Sequence, residues 1–166
     1  MIDFLKTREV KDPIWNFDEN AGIDFFIPKK TSFTQEELEN FGLNVHINEN
    51  RIEILPHGDV LIPSGIKSKF PRNVGLLAVN KSGIATKKKL IAGACLIDTS
   101  YQGEWHFHLI NTSNETQVLE FETKCIQFMP LELHIEGCTI TTKENGFFTE
   151  NTCRGDKGFG NGTGII

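Results

Sequence analysis

The sequence predicts an all-β sandwich or barrel, and three observations carry that prediction. Short apolar-rich segments recur along the chain, and Gly, Pro and Asn punctuate them at fairly even spacing. One of them, Glu104–Ile110, alternates strictly: Trp105, Phe107 and Leu109 fall on one face, and Glu104, His106 and His108 on the other. Only one stretch carries the signature of a helix.

Taken in order, Gly22 and Asp24 form a short polar interruption at the head of an apolar strand, Ile23–Ile27. The helix follows. Thr34-Gln35-Glu36-Glu37 reads as a capping box, in which the Thr34 hydroxyl accepts from the Glu37 backbone and Glu37 reaches back. Phe33 and Leu38 fit a hydrophobic staple around it, and Gly42 is expected to stop the helix in the left-handed conformation. Strands are predicted over Leu43–Ile47, Arg51–Leu55, Asp59–Ile62 and Val74–Val79. Lys81-Ser82-Gly83 then reads as a strand-to-turn connection, and Lys87-Lys88-Lys89 as a solvated face. The stretch Leu96 to Glu104 reads as a β-hairpin whose tip presents Asp98, an aspartate of the buried type, and Tyr101, the only tyrosine in the chain. Gln117–Phe121 and Cys125–Leu133 complete the strands. From Asn145 onward glycine is frequent and apolar residues are few, as in a mobile terminal arm.

A chain of 166 residues suffices for one domain with a real core, and its 39% hydrophobic and 23% charged content is ordinary for a soluble protein. A net charge of −5 argues against broad nucleic-acid binding, which needs a basic field to displace counterions. No apolar run reaches bilayer length and no secretory leader is expected, so the reading is an intracellular, cytoplasmic protein with no membrane partner. Cys95, Cys125, Cys138 and Cys153 lack the paired spacing of a zinc site and read as reduced, mostly buried thiols.

Several residues have types suited to a nucleotide. Asp98 could hold and deprotonate a water for in-line attack on phosphorus; as a turn aspartate it could equally bond its own backbone. Lys81 supplies a point charge for phosphate, Ser82 a hydroxyl, and Gly83 close backbone approach. Gln127 is a lone amide in an apolar strand and needs a hydrogen-bond partner, either backbone or ligand. In the tail, glycines surround Arg154 and Phe159, offering a cation for phosphate and a ring for a base. His106 and His108 share a strand face but make a poor metal site without a third ligand.

Five ordered motifs now resemble those of the trimeric dUTP nucleotidohydrolases (dUTPases), over nearly the whole chain. They are Ala21-Gly22-Ile23-Asp24, Lys81-Ser82-Gly83-Ile84-Ala85, the stretch from Leu96 to Glu104, Cys125-Ile126-Gln127, and Arg154 to Gly164. Leu61 to Ile66 also fits the strand before the second motif. The resemblance implies a jelly-roll homotrimer with three active sites shared between subunits: a β domain over 1–144, and an arm over 145–166 that closes a neighbour's site. It implies hydrolysis of dUTP to dUMP and pyrophosphate with Mg2+, limiting uracil in DNA and supplying dUMP. Carried over residue by residue, Asp98 activates the water and Tyr101 packs under the deoxyribose. The backbone around Leu96, Ile97 and Asp98 pairs with uracil. Lys81, Ser82, Gly83 and Gln127 hold phosphates, and Asp24 touches the metal's water shell. Arg154 binds phosphate, Phe159 stacks on uracil and Gly160 lies beside it.

The chain departs from the family pattern in places. Lys81 stands where arginine is usual, losing the bidentate fork. Cys95 replaces a frequent glycine and Ala92 a frequent asparagine, and the fifth motif is one residue longer than usual. The 31–55 segment exceeds the usual connection, and a surface for a protein partner is one role for it. Two other functions compete. A dCTP deaminase shares the fold, but His108 stands where its catalytic glutamate would align. A dUTP-binding regulatory protein of the same fold would keep the motifs without turnover.

Overall fold

The computed structural model describes residues 1–15, 18, 20–134, 136, 137, 140 and 142. Cys138, Cys153, Arg154, Phe159, Gly160 and the whole 145–166 arm lie outside the described residues. The elements, all within Met1–Ile135, run in this order: β1 (Asp3–Lys6), β2 (Ile23–Phe26), a 3-10 turn (Lys30–Ser32), α1 (Gln35–Glu39), β3 (Val45–Ile47), β4 (Arg51–Ile54), β5 (Asp59–Pro63) and β6 (Ile66–Lys69). Then come β7 (Val74–Val79), α2 (Ser82–Lys88), β8 (Leu90–Ala92), β9 (Leu96–Ile97), β10 (His106–Asn111), β11 (Gln117–Glu120) and β12 (Lys124–Glu132).

The strands form four small sheets, ordered β1-β6, β5-β10-β8, β11-β4-β3 and β2-β12-β7-β9, with every pairing antiparallel. This is the predominantly β architecture expected from the punctuated strands, and it is consistent with the jelly-roll-like fold that the resemblance implies. The sheets share one apolar core. In β10 the alternation holds as read, with Phe107 and Leu109 buried and His106 exposed. Just before it, Trp105 is 1% exposed, ringed by Phe4, Phe25 and Phe128 at centroid distances of 5.7, 5.2 and 5.4 Å. Its indole N–H donates to Ser68 Oγ at 3.1 Å, so burial leaves no polar group unpaired.

The capping box forms as read. Thr34 Oγ1 accepts from Glu37 N at 3.2 Å, and Glu37 Oε2 accepts from Thr34 N at 2.8 Å. Phe33 is buried and Leu38 packs against the same core, as a staple requires. Gly42 behaves differently from expectation. The helix ends at Asn40 with an ordinary backbone, and Gly42 is not left-handed. Its missing side chain serves close approach instead: a Cβ there would meet the Asp59 carbonyl oxygen at 2.5 Å. Left-handed backbone occurs at Gly65 (φ 74°), in the tight link between β5 and β6.

Two further expectations are corrected. Ser82–Lys88 is a second helix rather than a turn. It ends on Lys89, whose φ of 53° breaks the helix sharply, and Lys88 Nζ donates to the Val118 carbonyl at 2.6 Å rather than standing in solvent. The stretch Leu96 to Glu104 is not a hairpin of mutually paired strands. β9 pairs with β7, whereas β10 pairs with β5 and β8, so residues 98–105 carry the chain from one sheet to another.

Candidate functional site

The four-stranded sheet β2-β12-β7-β9 gathers Asp24, Gln127, Leu96 and Ile97, with Lys81 just past the end of β7. Asp24, in β2, lies opposite Gln127 in β12, and Gln127 lies opposite Val79 in β7. Lys81 follows Val79 by two residues, and Leu96 and Ile97 form the β9 edge.

An irregularity in β12 makes this arrangement possible. Lys124 pairs with Phe26, but Ile126 pairs with Phe25, so Cys125 is an extra residue, a β-bulge. Cys125 and Ile126 are consecutively buried, and Phe128 follows in the core. In a regular strand Lys124 and Gln127 would point to opposite faces. The bulge puts both on the partly exposed face beside Asp24.

There Asp24 anchors a cation cluster. Its carboxylate receives Lys81 Nζ at 2.7 Å and Lys124 Nζ at 3.0 Å, and its side chain is 14% exposed. Burial pushes its pKa up, but the hydrogen bonds and charges of the two lysines outweigh that and hold it below the ordinary carboxylate range. Gln127 is half-buried and donates from Nε2 to the Asn80 carbonyl at 3.1 Å. Asn80 in turn accepts the Ala92 N–H on Oδ1 at 2.7 Å, tying the end of β7 to β8. Gly22 comes close enough that a Cβ there would meet Gln127 Oε1 at 3.3 Å. Ser82 and Gly83 open α2 and are exposed. Beneath the cluster Cys125 is buried, and desolvation pushes its thiol far up, so it is inert packing. Cys95 is exposed, not buried.

Asp98 and Tyr101 form a separate group. Both are exposed, Asp98 included despite its apolar neighbours. The Tyr101 N–H donates to the Asp98 carbonyl at 3.1 Å, closing a turn. The Tyr101 hydroxyl donates to the Glu104 carbonyl at 3.0 Å, and its ring lies over Gly103. Asp98 follows Ile97, which pairs with Leu76 near the start of β7, whereas Lys81 lies beyond the other end of that strand. More than about 13 Å of extended chain therefore separates the two groups. His108 is no metal ligand: its Nδ1 accepts the Ala94 N–H at 2.8 Å, and its Nε2 lies 3.0 Å from Asp59.

Among the described residues no cluster of three His, Cys, Asp or Glu could hold a metal ion. The described residues therefore build no cage made wholly of protein groups. Asp24 already carries Lys81 and Lys124 on its two oxygens, so it fits magnesium only through the metal's water shell, with substrate phosphates supplying the direct ligands. No helix among the described residues is long and apolar enough to cross a membrane.

Sequence reasoning missed Lys124 and Asn80. The signal for Lys124 was the odd spacing of two polar residues, 124 and 127, in an otherwise apolar strand.

Fold and cluster together define an all-β protein with lysines and an amide on one sheet face, a chemistry suited to a polyphosphate. The dUTPase family model matches residues 28–163, and the chain belongs to that family. It is 29% identical over 130 residues to the deoxyuridine 5'-triphosphate nucleotidohydrolase of Chlamydia caviae, covering 77% of this chain and 86% of that one. Among solved structures it resembles the Staphylococcus bacteriophage 80alpha dUTPase with dUPNHPP, with a TM-score of 0.73 and 15% identity over 97% of both chains. It also resembles a dUTPase mutant from phage phi11 of S. aureus, described for its coordination of a structural Mg(II) ion. There the TM-score is 0.67, with 13% identity over 87% of this chain and 99% of that one.

Proposed function

We infer that this chain hydrolyses dUTP to dUMP and pyrophosphate by water attack on the α-phosphate, limiting uracil in DNA and supplying dUMP. Family membership supports this, but the carrying observation is the sheet order β2-β12-β7-β9. It brings Asp24, Gln127 and Lys81, from three separate motifs, onto neighbouring strands. Lys81, Lys124 and Gln127 hold phosphate oxygens, with the Ser82 hydroxyl and the Gly83 backbone beside them. Asp24 orients Lys81 and Lys124 and would hold the water shell of a bound Mg2+. Magnesium, when bound, spreads the phosphate charge. Asp98 takes a proton from the attacking water, Tyr101 packs under the deoxyribose, and the Leu96–Ile97 backbone reads uracil.

Attack needs the reacting atoms about 3–3.5 Å apart. A phosphate held by one chain's Lys81 is out of reach of the same chain's Asp98. That separation supports a homotrimer in which the Asp98 turn of one copy completes the phosphate cluster of another. The arm over 145–166 then brings Arg154 to phosphate, Phe159 to the base and Gly160 alongside. The substrate pool places the protein inside a cell, and the 31–55 segment is the surface left for a protein partner.

The test is to incubate the protein and Mg2+ with dUTP, dCTP, dTTP or UTP in turn, following pyrophosphate and ammonia. Pyrophosphate from dUTP alone is expected. Ammonia from dCTP would establish a deaminase, and dUTP binding without product would establish a regulator. In the same assay Asp98→Asn is expected to bind dUTP yet lose about 10²–10⁴-fold in turnover; an unchanged rate removes Asp98 as the base.

A further inference from the structure

Arg8 belongs to none of the five motifs, yet it is among the most completely bonded side chains described. Its Nε donates to Glu104 Oε1 at 2.7 Å, and Nη2 to Glu104 Oε2 at 3.0 Å. Nη2 also donates to Glu37 Oε1, and Nη1 donates to Glu37 Oε2 and to the Ser32 carbonyl, both at 3.0 Å. A guanidinium has five N–H donors, and all five are engaged. The cation also sits over the Phe33 ring, 4.9 Å from its centroid. Its side chain is only 14% exposed.

Glu104 is held as firmly. Besides the fork from Arg8, its Oε1 accepts the N–H of left-handed Gly65 at 2.6 Å. The backbone carbonyl of that same residue accepts the Tyr101 hydroxyl. Glu37, on the far side, is locked by the capping box of α1 in the 31–55 segment. Charge-assisted bonds thus lead from the helix α1 through Arg8 to the Glu104 carboxylate, and the backbone carbonyl of Glu104 carries the hold on to the Tyr101 hydroxyl through a neutral hydrogen bond.

We propose that Arg8 is a positioning residue for the nucleotide site: it fixes Glu104, and so Tyr101, and the inserted helix completes that hold through Glu37. The functional part rests on the packing of Tyr101 under the deoxyribose proposed above, where a 2′-hydroxyl would clash and the ring so senses the sugar. The structural part, that Arg8 sets the pose of the ring, does not. Lysine cannot replace arginine here, because a point charge with three donors cannot fork to two carboxylates and a carbonyl at once.

Tyr101 is the only tyrosine, so a fluorotyrosine label gives one 19F resonance that reports its pose without turnover. In Arg8→Lys that resonance is expected to shift or broaden, and the preference for dUTP over UTP to fall about fivefold, the worth of one hydrogen bond. Glu37→Gln, which keeps the side-chain shape, is expected to move both readouts the same way by less, and it carries the test if Arg8→Lys does not fold. An unmoved resonance in a folded variant overturns the proposal, even if the melting temperature falls. A shifted resonance with an unchanged dUTP preference, matched by Tyr101→Ala, upholds the hold by Arg8 and sinks the sugar-sensing role of Tyr101.

Discussion

Replacing Gly103 by alanine separates the pose of Tyr101 from the stability of the fold. An added Cβ would stand 2.5 Å from Tyr101 Cζ and nearer still to its hydroxyl oxygen, where ordinary contact begins at 3.4 Å. The ring must therefore retreat by about 1 Å, breaking its bond to the Glu104 carbonyl. Stability should barely register the change. One net hydrogen bond, about 1 kcal/mol, is lost from a ring that is 44% exposed. Alanine narrows the unfolded ensemble and returns about 0.4–1 kcal/mol, since Gly103 does not use the left-handed region. Catalysis should suffer far more, because a misplacement of ~1 Å can lower a rate about 10²-fold. The assay is pyrophosphate release from sub-saturating dUTP, with thermal unfolding run alongside. A wild-type kcat/KM would refute the reasoning, and so would a collapse of the melting temperature.

Trp105→Ala should cost about 3–5 kcal/mol in a denaturant titration, because it empties the centre of an aromatic cluster and orphans Ser68 Oγ. Gly42→Ala should cost about 1–3 kcal/mol, since the obstructing atom belongs to the Asp59 backbone and cannot swing away; a neutral result would mean the 42–45 loop yields freely. Acid should weaken the fold in a defined window. Glu37 falls from 4.5 to about 2 chiefly through its bond to Arg8, so its contribution is complete above pH 4.5 and fades as pH drops towards 2. In Glu37→Gln the slope of stability over that window should flatten, and an unchanged slope would remove the pair as its source. Lys124→Gln should raise the Asp24 pKa towards its ordinary value of 3.8, read from the carboxyl titration by NMR; no movement would show that Lys81 alone sets it.

What could be read from the chain was what depends on neighbours in sequence. The capping box at Thr34 is a local exchange between residues three apart, and the alternation from Trp105 to Leu109 is a local period. Both appear in the structure. What could not be read depends on partners chosen at a distance. The turn after Ile97 looks like a hairpin until β9 is seen to pair with β7 and β10 with β5. Ser82–Lys88 has too few apolar residues and too early a glycine to announce a helix. Gly42 was assigned the commonest reason for a glycine near a helix end, but the true reason is the Asp59 carbonyl, seventeen positions away in sequence. Asp24, Lys81 and Gln127 were legible as residue types, whereas their meeting, with Lys124 as fourth member, required the sheet.

The doubled-up position at Cys125 makes the length of that strand a matter of odd and even. Removing Cys125 would leave Lys124 and Gln127 two positions apart, still on one face of a now regular strand with Phe128 inside, whereas adding one residue between 125 and 126 would turn the amide at 127 inward and the ring at 128 outward. Substitutions at 125 that keep a small apolar side chain should be tolerated and a deletion there should keep the inside-outside pattern, while a one-residue insertion should abolish the fold and the site together. Chemistry at this face depends less on the identity of Cys125 than on the lysine at 124 and the amide at 127 staying in phase.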